Sequence, residues 1–354
     1  MKPINDPQLQ LPLYSPDGYS VQLSNGEYVL LVPGGDYQGL IFSEMDFTSI
    51  TIGADFTGVT FSHCRFVMTD LSGSILSSAH FHDCHISQSA LMWTQSSDIK
   101  FSDTLVEDTR FAFSNLSRAQ FVSGTTLHDC NFRDTNLEYA NFNEVVMTDC
   151  MFLNTIAPEI IIHDSCLARV GIKKSNFLGL KVSDSLVDTL HIDSSNLSGS
   201  SWCSVTTKYG YWSMWGVDFT ASKFSLCDAK SSTWTWNTFF GVVMERCNWF
   251  ENSVSVCSFE QATFSSVGWN STKFYSTSFT NLKASGCRFR YADFLICTLQ
   301  DSTISHSAFE YCQLSESLAQ NLQIVEPTYS INTNWHDGYT PDTQQNSTDH
   351  PTNN

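Results

Sequence analysis

From Phe219 to Ile324 every fifth residue is apolar, through Trp234, Trp249, Phe264, Phe279, Phe294 and Phe309. At 42% apolar composition, chance would fill about nine of these positions, and all are filled. A spacing of five matches neither a helix nor a flat strand, so the backbone must turn regularly enough to aim each fifth side chain at one axis. The pattern therefore predicts a coil. It begins at Tyr37, loses one residue before Phe56, runs to Phe121, gains one near Gly124, runs from Leu127 to Trp202, and gains two around Val205 before Tyr209 and Met214. Only Ser96 interrupts these inward centres, which hold most of the Phe residues.

Positions beside the centres are as regular. Two before, the residue is small, as at Ala54, Cys64, Thr69 and Ser74; one before, Asp or Asn recurs, as at Asp55, Asp70, Asn115 and Asn136. A tight coil needs both, because the small side chain shares the interior and the short polar one can bond the backbone at each turn.

ADFTG (54–58), SNLSR (114–118), TNLEY (135–139), ANFNE (140–144), SNFLG (175–179), SNLSG (195–199) and ADFLI (292–296) resemble the pentapeptide-repeat family, whose motif is A(D/N)LXX. Phe replaces Leu at most centres here. The resemblance implies an all-β fold, a right-handed quadrilateral β-helix with four pentapeptides per coil. The cysteines agree, since Cys64 and Cys84, Cys130 and Cys150, and Cys227 and Cys247 each lie four fives apart. Stacked on inner faces, they should behave as small hydrophobes, not as disulfides or metal ligands. The centres divided among four faces give about 14 coils.

Three regions follow: residues 1–35 as an N-terminal cap, 36–326 as the β-helix and 327–354 as a disordered tail. In the cap, Val21 and Leu23 alternate, Asn25-Gly26 offers a turn, and Tyr28, Leu30 and Val32 alternate again, which reads as a β-hairpin. The tail is polar and nearly free of aliphatics, which predicts disorder.

Acidic residues outnumber basic ones 36 to 18, for a net charge of −18. Such a surface should repel nucleic acid and anionic membranes and suit solubility or a basic protein partner. With neither a signal-like apolar run nor a membrane-length stretch, a cytoplasmic location is expected. His63, His80, His82 and His85 cluster in sequence, but the register spreads them outward along different parts of the rim, as solvated histidines and not a ligand set. No catalytic motif stands out, and a core packed with Phe leaves no substrate cavity, so we expect no enzyme activity, cofactor or metal.

The informative signal is which aromatics face out. On the face of Met214, Trp234 and Phe274 the outward positions hold Trp215, Trp236, Val256, Tyr275, Leu295 and Ile296, and the neighbouring face adds Tyr211, Phe250, Tyr291 and Tyr311. Exposed apolar stripes mark interaction sites, so these ten residues are the candidate partner-binding surface of a non-enzymatic scaffold or adaptor, or a self-association surface. Long Phe- and Cys-rich pentapeptide-repeat proteins are similar to accessory proteins of contractile injection (type VI secretion) loci, which implies an effector-loading role. The alternative implied by the family is an acidic, DNA-mimicking inhibitor of a type II topoisomerase.

Overall fold

The computed structural model describes residues 13–15, 17–207, 209–314, 316–329 and 332–335. It is an all-β solenoid of about 14 coils, with no helix among the described residues. The chain falls into two compact units, Met1–Lys181 and Val182–Asn354.

In the first unit, strands of three residues pair in parallel with strands one coil on. Thr60 lies opposite His80, and Arg65 opposite His85. Single bridges join Asp70 to Ala90 and Ile75 to Gln95 on the other two sides. Four consecutive pentapeptides thus each meet their copy 20 residues later, which makes the coil four-sided. We number the faces in chain order from Phe61 (first) through Phe66 (second) and Leu71 (third) to Leu76 (fourth). The extra residue lies near Gly124, as expected: Leu105 faces Thr126 and Gln120 faces Asn141, offsets of 21 residues on both strands.

The interior follows the five-residue pattern. Phe61, Phe81, Phe101, Phe121 and Phe142 are buried and stack ring over ring, with centroids 4.8, 5.1, 4.9 and 4.7 Å apart. Ser96 is buried too, and its hydroxyl donates to Thr94 Oγ1 at 2.8 Å, so the one polar centre is satisfied. The Asp and Asn residues act as turn locks. Asn115 Oδ1 accepts from the Ser117 N–H (3.1 Å), and Asn136 Oδ1 from that of Glu138 (3.0 Å). Two residues after most centres the backbone turns a corner in the left-handed region, as at Asp83 (φ 48°) and Phe113 (φ 62°). That conformation costs a non-glycine residue roughly 1–2 kcal/mol, offset where the corner N–H donates to the next coil, as from Phe113 to the Arg133 carbonyl (2.9 Å).

The N-terminal hairpin is present, extended to three antiparallel strands by Leu13–Ser15. Its second strand shows the opposite face from the one expected. Leu23 pairs its N–H with the Glu27 carbonyl, which leaves three residues in the loop instead of two, and Val21 then faces Val29 and Tyr19 faces Leu31. Side chains opposite one another share a face, so Leu31 is buried with Val21 while Tyr28 and Leu30 are exposed. The Tyr37 hydroxyl accepts from the Val32 N–H at 2.5 Å and donates to the Leu30 carbonyl at 2.9 Å, tying hairpin to coil.

In the second unit the faces carry Phe224, Met244 and Phe264 (first), Trp249 and Trp269 (second), Met214, Trp234 and Val254 (third), and Phe219, Phe239 and Phe259 (fourth). One centre needs correction. Tyr209 is 83% exposed, and the bridge from Leu186 to Thr206 puts Thr207, not Tyr209, in line with Val187. The two extra residues therefore follow Thr207, where the backbone bulges outward and the Tyr209 and Gly210 N–H groups both donate to Asp188 Oδ1 (2.7 and 2.6 Å).

The β-helix also runs past 326, into the segment expected as tail. Thr328–Tyr329 pairs with Ala308 and Phe309, Asn334 bridges Gln313, and the Trp335 ring lies 5.1 Å from that of Phe309. Residues 336–354 lie outside the described residues.

Candidate functional site

In the second unit the strands Trp212–Trp215, Thr233–Thr235, Ser253–Ser255, Lys273–Tyr275 and Asp293–Leu295 form the third face in unbroken parallel register. One outward column therefore reads Trp215, Thr235, Ser255, Tyr275, Leu295. The corner column beside it reads Gly216, Trp236, Val256, Ser276, Ile296, the first four N–H groups bonding the next coil. Trp215, Trp236, Tyr275, Leu295 and Ile296 are exposed; Val256 is half-buried. Because the columns stagger, Trp215 and Trp236 sit one coil apart on adjacent columns. Thr235 and Ser255 then separate them from Tyr275, Leu295 and Ile296, so the surface is two patches and not one stripe.

The other four candidates lie toward the second face. Tyr291 is exposed and Tyr311 half-buried at the corner between the second and third faces, their rings stacked 5.0 Å apart. Phe250 is half-buried under the Lys230 ammonium, 5.4 Å from its ring centre. Tyr211 is exposed, edge-on to the His191 ring at 5.5 Å. Arg290, over the Tyr291 ring at 5.2 Å, makes this flank cationic.

Exposed apolar side chains also occur beyond these faces. In the second unit Leu226 and Phe240 are exposed, and in the first unit Trp93 and Phe113 stack in the open with rings 5.5 Å apart and nearly parallel. Both occupy corner positions two residues after a centre, the same signal that marked Trp236.

The histidines depart from the expected scatter. Three of the four gather on the first face of the first unit and its edge: His80 Nε2 and His82 Nδ1, from one strand, both meet Ser102 Oγ (2.8 and 3.0 Å), and the ring of His63, at the corner, lies 6.0 Å from that of His82. Burial, then the charges of Lys100 and His82, hold His80 below the ordinary imidazole range. His85 turns to the next face, 3.3 Å from Glu107. No set of three or more His, Cys, Asp or Glu is arranged to hold a metal among the described residues.

Ten cysteines are buried as expected, and all twelve are free thiols. Their sulfurs donate to main-chain carbonyls, as Cys257 does to Trp234 (3.4 Å). Burial pushes the thiols of Cys257 and Cys312 up to about 12 and that of Cys297 to about 11.

The family model for pentapeptide repeats matches residues 54–91 and 125–156, in eight copies. It supports a likeness of these stretches to pentapeptide repeats. No curated protein matches the sequence. Among solved structures, the chain is similar to HetL, a pentapeptide repeat protein involved in heterocyst differentiation regulation in the cyanobacterium Nostoc, at 12% identity over 81% of this chain and 88% of that one (TM-score 0.25). It is similar to Rfr23 from the cyanobacterium Cyanothece at 18% identity over 35% and 84% of the two chains (TM-score 0.22). It is also similar to QnrB1, a plasmid-mediated fluoroquinolone resistance protein, at 16% over 60% and 91% (TM-score 0.19).

Proposed function

We propose that the chain is a non-enzymatic interaction scaffold that holds a protein partner against the third face of its second unit. The observation that carries this reading is the Trp215 and Trp236 pair, 52% and 61% exposed, on strands whose inner centres Met214 and Trp234 already fill the interior. Packing requires neither indole in water. Tryptophan is among the residues that most often dominate binding energy, and a flat parallel sheet presents it with little entropy left to lose. The partner is a segment with apolar anchors flanked by basic residues, which the net charge of −18 would attract. In its most specific form the scaffold is a cytoplasmic adaptor that loads effectors of a type VI secretion system. A photo-crosslinking residue at Thr235, between the two patches, should capture one discrete partner in the source cell that the same residue at Ser265 on the first face does not. Equal capture at both positions would sink the assignment of the face.

One observation favours a second reading, the DNA mimic. At the corner between the first and second faces of the first unit stand Asp83 and Asp103 and, past a coil that carries Ser123 there, Glu144 and Asp164, an interrupted column of carboxylates of the kind a basic DNA groove would accept. Against it, arginines neutralise others, with Arg118 in two contacts to Asp98 (2.7 and 2.6 Å) and Arg169 in two to Asp149 (2.6 Å each). Inhibition of gyrase supercoiling by the purified chain would support the mimic over the scaffold.

A further inference from the structure

The corner between the first and second faces of the second unit holds a groove of about 550 Å³. Its depth comes from small residues. Down the corner the chain places Arg246, Ser266, Gly286 and His306 on successive coils, and the column beside it reads Asn248, Gly268, Arg288 and Ala308. Ser266, Gly268, Gly286 and Ala308 keep the floor low, and Arg246, Arg288 and His306 stand above it. A Cβ on Gly268 would lie 3.1 Å from Asn248 Oδ1 and 3.4 Å from Asn270 Nδ2. The two amides, themselves joined at 3.1 Å, close over the glycine and offer further polar groups.

The charge of this groove runs against that of the chain. None of the residues lining it is a carboxylate, although acidic residues outnumber basic ones 36 to 18; at its far end Glu326 pairs with His306 at 3.0 Å, which leaves the two arginines as its cations. Glu310 is shared between Arg288 (3.5 Å) and Arg290 (3.4 Å), so one negative charge answers two positive ones. Glu245, next to Arg246 in sequence, is taken by Lys223 at 2.9 Å. Arg246 has no ion-pair partner among the described residues. Guanidinium groups in a walled groove, short of carboxylates, are matched in geometry and charge to oxyanions, and the fork of arginine suits phosphate in particular.

We infer that this groove is a binding site for a small linear polyanion of the phosphate class, about the size of tripolyphosphate. Arg246 and Arg288 lie two coils apart, roughly 10 Å at strand spacing, and His306 stands one coil further. A single phosphate cannot reach both arginines without drawing them together, whereas a chain of phosphates can span them along the floor. The volume falls in the range of small-molecule sites.

The test is calorimetric titration of the full chain with tripolyphosphate and, separately, with ATP. Tripolyphosphate should bind with one site, and Arg246→Gln with Arg288→Gln should weaken it at least tenfold. Gly286→Leu, which keeps every charge but fills the groove, should weaken it as much; the fold accepts leucine there, because Leu226 holds the same corner column at φ 55° and the new Cβ would meet only Ser266, its Oγ at 3.5 Å and its N at 4.0 Å, both ordinary contacts. A control that removes two charges elsewhere, Arg110→Gln with Lys174→Gln in the first unit, should leave binding unchanged. If ATP competes, the site takes the phosphate chain of a nucleotide; if ATP is excluded, it takes free polyphosphate. Absence of binding by both probes, binding that survives the groove variants, or equal loss in the control would overturn the proposal. Binding of a triglutamate peptide in place of either phosphate would overturn it as well.

Discussion

The indole N–H of Trp212 donates to the carbonyl oxygen of Val187 at 2.9 Å. Trp212 is fully buried in a position two before a centre, where other coils keep a small or aliphatic residue and the preceding coil has Leu190. It fits because the insertion after Thr207 carries Tyr209 outward and puts only a threonine at the centre beside it. A large side chain in a small slot compensates for a small one in a large slot, and interiors conserve volume in this way. Trp212→Ala should therefore cost about 3–5 kcal/mol, more than any change at Tyr209, in chemical denaturation. Equal losses at the two positions would restore Tyr209 as the inward residue.

Phe264 is buried between Phe259 and Trp269, its ring 5.6 Å from each. Phe264→Ala should lose about 3–5 kcal/mol through the cavity it leaves. Trp269→Phe is the contrasting change, because the buried Trp269 Nε1 finds no hydrogen-bond partner and its removal offsets part of the lost volume. Denaturation midpoints should place Trp269→Phe close to wild type and Phe264→Ala far below it.

Thiol titration reads the interior directly. Only Cys166 and Cys203 are other than buried, and burial holds thiols such as Cys257 and Cys312, at about 12, almost wholly protonated near neutral pH. A disulfide reagent should modify at most two thiols in the native protein at pH 8 and all twelve after denaturation. Rapid reaction of more than two would mean that the coils open.

Asp46 is largely buried against the Arg65 guanidinium, with Arg65 Nε 3.1 Å from its carboxylate, and the Thr48 N–H donates to it at 3.0 Å. Burial opposes its charge, but the bonds from Arg65 and Thr48 outweigh this and hold its pKa below the usual carboxylate value. A carboxyl lowered on folding stabilises above its unfolded pKa, about 4, and that contribution is lost as pH falls through the folded value. Asp46→Asn should thus be less stable than wild type at pH 7, with the gap closing below about pH 4. A gap independent of pH would remove the charge from the explanation.

The coil itself was legible in the sequence because five is a period that only a four-sided coil satisfies, and the cysteine spacing gave the number of sides. The position of an insertion was less legible, since a register judged from apolarity alone prefers Tyr209 to the polar Thr207 that the bridge from Leu186 to Thr206 puts in line. The hairpin face was missed for a similar reason: one extra loop residue inverts a whole strand. The convergence of His80 and His82 on Ser102 pairs residues 22 and 20 apart, contacts that appear only when coil length is used to find vertical neighbours. Outward aromatics such as Trp215 and Trp236 could be picked out by position, but the Thr235 and Ser255 gap between the patches needed the lateral register. The phosphate-sized groove escaped because small residues make it, and pattern analysis weighs large ones.

The end of the coil gives a prediction opposite to the one its composition suggests. Thr333 Oγ1 donates to the Phe309 carbonyl (3.0 Å), the Leu314 N–H to the Asn334 carbonyl (2.7 Å), and Trp335 covers Phe309 and Tyr329. Deleting everything from residue 330 should expose the last coil and lower the melting temperature, while deletion from 336 should leave these contacts in place. Equal melting of the first deletion and wild type would show that the last turn adds nothing.

The central claim is that Trp215 and Trp236 bind and do not build. The most direct measurement is the affinity of the partner cross-linked at Thr235, or the self-association constant by sedimentation if that partner is a second copy, for wild type and for Trp215→Ala with Trp236→Ala. Truncating a binding hot spot costs about 2 kcal/mol or more, so the double variant should melt with wild type and bind at least about 30-fold more weakly. A variant that melts with wild type and binds equally well would contradict the account.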